Sequence, residues 1–283
     1  MLLYGQAIIN ERILVPFKGF SDGGMHFGDD QTLGSGAQIP EGDAEKTEQR
    51  TKEMEIKANV DFWKGLGIEV NEEDVRREIE AVPEVEGFNW YLYIPKSIKP
   101  TEMIEQIRKT TPVWCTFEEA LKYDGAYYDD PENDLNIDNF NSTRNSQDTE
   151  YAISARYKQY PDEDSVGEGA RCADEWAQTG EDYMTMLEWF VAEMRWHQEN
   201  DSHLDQRVKG SSKTITPNDL CKGEKGEPYF VPRLDFDTDK DRVYISKDQH
   251  GPNGTRDSNG IRRVITKTTE PEIIAKIKSE IGQ

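Results

Sequence analysis

GARCADEWAQTGEDYMTMLEWFVAEMRWHQENDSHLD, residues 169–205, decides how this chain folds. It reads as two helices separated by a short turn. Glu168–Gln178 carries Ala170, Ala173, Trp176 and Ala177 at helical spacing and stops at Thr179-Gly180. Thr185 then caps a second helix over Met186–Gln198. Leu187, Phe190, Val191, Met194 and His197 form its apolar face. His203-Leu204-Asp205 follows, and a histidine just past a helix C-terminus is expected to tie that end to the next loop.

Downstream of this pair the chain reads as strand and loop as far as residue 268. Residues 229–250 alternate: Tyr229, Arg233, Asp235, Asp237, Tyr244, Ser246, Asp248 and His250 interleave with Phe230, Leu234, Phe236, Val243 and Ile245. A strand turns successive side chains to opposite faces, so the second set is expected inward and the first outward. The outward set mixes Tyr with short polar and charged groups, the chemistry of adaptable binding loops. Asn253, Asp257 and Ser258 continue it, and residues 229–258 are the candidate ligand-binding surface. The plain alternative is the solvent side of an ordinary half-exposed sheet. Pro271 opens a last amphipathic helix with Ile273, Ile274, Ile277 and Ile281.

Upstream, residues 6–20 read as one or two short strands and 21–42 as loop. Asp43–Gly65 is helical by pattern, with Asp43 as its cap; Asn71 caps a short acidic helix ending before Pro83. Residues 88–94 are the densest aromatic strand. Thr101 is expected to cap a helix to Thr111, and Thr116–Tyr123 is a further helix. Residues 124–166, rich in Asp, Asn, Gln and Ser, read as a surface insertion or joining segment.

Only 35% of the 283 residues are hydrophobic, yet 10 Phe, 6 Trp and 12 Tyr can supply the missing core area. The net charge of −22 argues against nucleic acid, which asks for phosphate-neutralising Lys and Arg, and against anionic membranes. No stretch is apolar enough to insert in a membrane, and Met1–Gly5 lacks the features of a signal peptide, so a cytoplasmic or virion-associated location is expected. Cys115, Cys172 and Cys221 make neither a disulfide framework nor a C-x-x-C site.

Several marks converge on one family. In residues 169–205 a short Ala-rich helix ends near Gly, and the next opens Thr185-Met186-Leu187-Glu188-Trp189 with Ala192 beyond. Gly260-Ile261-Arg262-Arg263-Val264-Ile265 stands where a Gly-Phe-Arg end is usual. Both resemble C-type-lectin folds of the formylglycine-generating-enzyme kind. His203-Leu204-Asp205, Leu220-Cys221-x-Gly223, Val231-Pro232 and Asp241-Arg242-Val243 narrow the likeness to variable proteins of diversity-generating retroelements.

The resemblance covers about residues 150–268 and implies an α+β, C-type-lectin-like domain at 151–268. Two helices and a mostly antiparallel, irregular sheet would compose it. Residues 1–20 would pair with the C-terminal strand (8–17 beside 261–267), 21–150 would form a helical and irregular region, and 269–283 a terminal helix. The implied function is non-catalytic recognition of a protein or glycan on a cell or virion surface, through side chains that the retroelement diversifies. Adenine mutagenesis of Asn-type codons yields Tyr, Asp, Ser and His, which dominate the outward set.

Other chemistries are weaker. The Gly-Gly-Ser-Trp segment and cysteine pair of formylglycine-generating enzymes are missing, and Cys221 stands alone. His197 and His203 are six apart, not the four of a zincin pair, and His26 is isolated. Asp235-x-Asp237-x-Asp239-x-Asp241 and Asp134-x-Asn136-x-Asp138 lack the Gly and closing Glu of a calcium loop. No cofactor is expected; the fold class admits calcium, with no ligand assigned. The rival readings are a metal-dependent or degenerate enzyme of the same fold and a structural virion or assembly component.

Overall fold

The computed structural model describes residues 50–115, 141–142, 144, 149–166, 171–206, 213–217, 219–220, 230–249 and 259–280. Helix α1 (Lys52–Gly65) starts where the Thr51 hydroxyl accepts from the Met54 amide. Arg50 and Thr51 are not helical, so α1 begins later than periodicity predicts, and Asp43 lies outside the described residues. Helix α2 (Glu72–Ala81) has Asn71 as its cap, as expected, with Oδ1 accepting from the Glu73 amide at 2.9 Å.

Strand β1 (Trp90–Ile94) leads to helix α3 (Pro100–Ile107). Lys99, not Thr101, precedes α3, because Pro100 is preset for the first helical position. Strands β2 (Val113–Cys115), β3 (Asn141–Ser142) and β4 (Tyr151–Ala155) follow, then a 3-10 turn at Glu163–Ser165. The helix pair is α4 (Ala173–Ala177) and α5 (Met186–Asn200), with β5 (Asp182–Tyr183) between them. The chain closes with β6 (Lys213–Ile215), β7 (Asp219–Leu220), β8 (Phe230–Asp237), β9 (Arg242–Gln249), β10 (Asn259–Gly260), β11 (Arg263–Thr266) and α6 (Pro271–Glu280).

The class is α+β, as expected. An antiparallel sheet runs β1-β4-β11-β5. A mixed sheet runs β10-β6-β8-β9-β2, with parallel pairs at both ends, β10 with β6 and β2 with β9. A two-stranded piece joins β3 to β7. Side chains from both large sheets and from α1, α2, α3, α5 and α6 meet in one core cluster.

Two expectations are corrected. Of residues 124–166, the described stretch from 149 onward is no mere surface insertion: β4 lies within it, every residue of it buried between β1 and β11. Among the described residues the neighbours of β11 are β4 and β5; residues 8–17, expected beside 261–267, lie outside the described residues. The boundary at 150 is likewise not a seam. Strands β1 and β2, from the region before it, complete the two large sheets, and Ala37–Gln283 form one compact unit.

The edge of β1 illustrates why that region is integral. An open edge strand presents unpaired backbone groups. Asn59 of α1 closes this one: its Nδ2 donates to Tyr91 O at 2.9 Å and its Oδ1 accepts from the Tyr93 amide at 2.8 Å. The Trp63 indole donates to Tyr93 O at 2.9 Å, and Arg195 of α5 reaches Tyr91 O at 2.8 Å. A helix side chain thus takes the place of a neighbouring strand.

Candidate functional site

The polar face of the β8–β9 hairpin is built by register. Arg233 pairs with Ser246, Asp235 with Tyr244 and Asp237 with Arg242, while Leu234 opposite Ile245 and Phe236 opposite Val243 enter the core. The expected division of faces is therefore present over these positions. Asp248 lies in β9 opposite Val231. Tyr229, His250, Asn253, Asp257 and Ser258 lie outside the described residues.

Exposure is where the expectation fails. Asp235, Asp237 and Ser246 are buried, not open to a ligand. Short side chains here stand among long ones. Ser246 Oγ accepts from Arg233 Nε at 2.9 Å, and Asp237 Oδ2 is 3.6 Å from Arg242 Nη2. Arg233, Arg242 and Tyr244 remain half-buried. The open part of the face is thus narrower than alternation alone predicts.

The structure also adds a residue that pattern reading missed. Strand β2 lies parallel to β9 and sets Trp114 beside Tyr244. The Arg242 guanidinium lies 4.1 Å from the Trp114 ring centroid and 5.9 Å from that of Tyr244. Trp114 is itself half-buried. A three-residue strand carries too little period to be found by alternation, so no sequence signal singled it out.

Beneath the face lies a buried polar hub. Asp205, in the left-handed region at φ 49°, accepts from Trp189 Nε1 (2.7 Å), Thr214 Oγ1 (2.7 Å) and Arg262 Nη2 (2.6 Å). Arg262 also donates to Lys158 O and Gln159 O, and Asp205 O accepts from the Phe236 amide of β8 at 3.2 Å. His203 fulfils the expected tie. Its Nδ1 contacts Glu193, and its ring stacks between His197 (4.3 Å) and Phe236 (3.7 Å). The end of α5, the turn after it and β8 are thereby held in one arrangement.

Two further clusters fasten the ends of the domain. At the start of α5, Glu188 accepts from the Thr185 amide at 2.8 Å and from Arg144 at 2.8 and 3.0 Å. Burial pushes the neighbouring Tyr151 hydroxyl well above its ordinary range, with the Glu188 charge adding to it. At the C-terminus, burial works to raise the Glu181 carboxyl, but Lys276 and Arg263 outweigh it and hold the group below its ordinary value.

The aspartate run at 235–241 is not drawn into a cluster. Asp235 and Asp237 lie buried in β8, while Asp239 and Asp241 are exposed in the hairpin turn. Among the described residues no three His, Cys, Asp or Glu side chains group together as metal ligands. Residues 134–138 and Cys221 lie outside the described residues. No described helix is long and apolar enough to cross a membrane.

The chain matches no family model, no curated protein and no solved structure.

Proposed function

We propose that this chain is a non-catalytic recognition protein. Its ligand-binding face is the half-buried row of Trp114, Tyr244, Arg242 and Arg233 on the β2–β9–β8 sheet. The observation that carries the reading is that row: three strands bring Trp, Tyr and Arg side by side on one polar face. These residue types dominate binding hot spots, because each combines large contact area with directed polar groups. The buried Asp205 hub ties β8 to α5 and so supports a rigid platform.

The finer reading is a C-type-lectin-like domain over 151–268, of the kind diversified by retroelements. Its support is that the first strand of that span, β4, pairs with its last, β11. Two of the marks carrying the resemblance also meet in space, through Asp205 and Arg262 at 2.6 Å. On this reading the partner is a protein or glycan on a cell or virion surface. Diversified contacts then fall on Arg233, Tyr244 and their neighbours, not on buried Asp235, Asp237 or Ser246.

A binding screen tests the proposal. The purified chain is presented to cell-surface proteins and glycans, and hits are re-measured with Trp114→Ala and Tyr244→Ala. Loss of about tenfold or more in affinity, with melting temperature nearly unchanged, is the expected result. Hits indifferent to both substitutions overturn the assigned face. Diversification is tested separately in the flanking DNA, where a near-copy of codons 221–263 differing at adenines is expected.

A further inference from the structure

Two arginines of the core each make several hydrogen bonds. Arg262 donates to Lys158 O, Gln159 O, Thr214 and Asp205, and Arg195 to Glu55, Tyr91 O and Glu199. Arg242 does not. Its guanidinium carbon lies over the Trp114 ring, 4.1 Å from the centroid, and its Nη2 stands 3.6 Å from Asp237, beyond hydrogen-bond length. It makes no hydrogen bond among the described residues, and its Nε is buried without an acceptor. Yet the side chain keeps 19% of its surface exposed. The guanidinium is therefore oriented by the ring, with no hydrogen-bond acceptor among the described residues and with part of the side chain open to solvent.

From this we infer that Arg242 is a carboxylate-binding residue, receiving one Asp or Glu side chain from a protein partner docked on the sheet face. The inference rests on the recognition reading above and names the chemistry it uses. A planar guanidinium matches a carboxylate with two parallel hydrogen bonds, the strongest neutralisation open to it. Asp237 compensates part of the charge, from too far to satisfy the donors. A single carboxylate in an otherwise uncharged patch fits best, since the net charge of −22 repels a wholly acidic partner. A sugar ring fits less well, because Arg242 already covers a face of Trp114 on which a pyranose would stack.

The test follows the Arg242 Nε–H resonance by NMR in the full chain. The probes are N-acetyl-glutamate N-methylamide, its glutamine counterpart, N-acetylneuraminate, and potassium chloride at matched ionic strength. The glutamate probe alone is expected to move the resonance in a saturable way, at about millimolar Kd for so small a ligand. Arg242→Lys keeps the charge but loses the fork, and should weaken the probe about tenfold, read at the Tyr244 ring. Asp237→Asn removes the competing carboxylate and should tighten it about threefold.

Melting curves establish that both variants are folded. Movement by chloride alike, or by the neuraminate alone, overturns the inference, as does a glutamate response unchanged in Arg242→Lys. A screened ligand that shifts Tyr244 but leaves Arg242 still would sink this inference while the recognition reading stands. A probe response with every screen empty does the reverse.

Discussion

The buried hub at Asp205 and the stacked pair at Trp114–Arg242 use the same chemistry to opposite ends. Both set an arginine beside an aspartate and a tryptophan. At the hub the carboxylate takes hydrogen bonds from α5, β6 and the segment entering β11, so each charge is satisfied and no element can shift alone. On the sheet face the arginine is placed by aromatic rings, and its aspartate stands 3.6 Å away. Satisfied donors make a scaffold, whereas oriented but unsatisfied ones make a surface that can gain by meeting something else.

If that contrast is right, damage to the hub must cost folding and damage to the face must not. The largest effect is expected from Asp205→Ala. It strands the buried Arg262 charge and removes the acceptor of Trp189 and Thr214, at about 3–5 kcal/mol in urea denaturation. Asp205→Asn should lose less, because Asn tolerates the left-handed backbone at φ 49° and keeps an acceptor. Equal losses in the two variants would mean that the charge pair is not what holds the hub.

How much of this could be read beforehand depends on the range of each interaction. Helix α5 was legible because Thr185, Glu188 and the apolar face are local signals, and the structure adds only its last residues. Asp205 and Arg262 both sat in stretches singled out from the sequence, but their contact spans 57 positions and no pattern links them. Alternation correctly divided the faces of β8 and β9. It could not say what shades a face, so the burial of Asp235, Asp237 and Ser246 went unseen. Trp114 was invisible for a further reason: it joins the site only through a parallel strand pair, which no local turn announces.

A second scaffold prediction concerns Gly260. A Cβ there would stand 2.6 Å from Val166 Cγ1 and 2.7 Å from Pro161 Cβ, closer than packed atoms tolerate. Gly260→Ala should therefore cost roughly 1–3 kcal/mol through displaced neighbours. A thermal melt of Gly260→Ala matching the parent would show that the 161–166 turn yields freely. In that case the scaffold side of the contrast is softer than drawn.

The third prediction uses acid. The folded state holds the Glu181 carboxyl low, since Lys276 and Arg263 prevail over the opposing effect of burial. A depressed carboxylate contributes stability that is full above its unfolded value and lost as pH falls through the folded one. Lys276→Met removes one cation, so the loss should begin at higher pH, with a difference on the order of 1 kcal/mol. Denaturation midpoints from neutral to acid pH check this; identical profiles would place the acid sensitivity elsewhere.

The smallest effect on folding is expected where binding is proposed. Tyr244 is half-buried, and the Arg242 guanidinium lies 5.9 Å from its ring centroid. Tyr244→Ser should cost only about 1 kcal/mol, because the strand keeps its backbone ladder to β8 and β2 and the core face is untouched. A loss as large as that of Asp205→Ala would erase the contrast. Tyr244 would then belong to the scaffold, and a row that cannot change without unfolding cannot be the part of the molecule that adapts to partners.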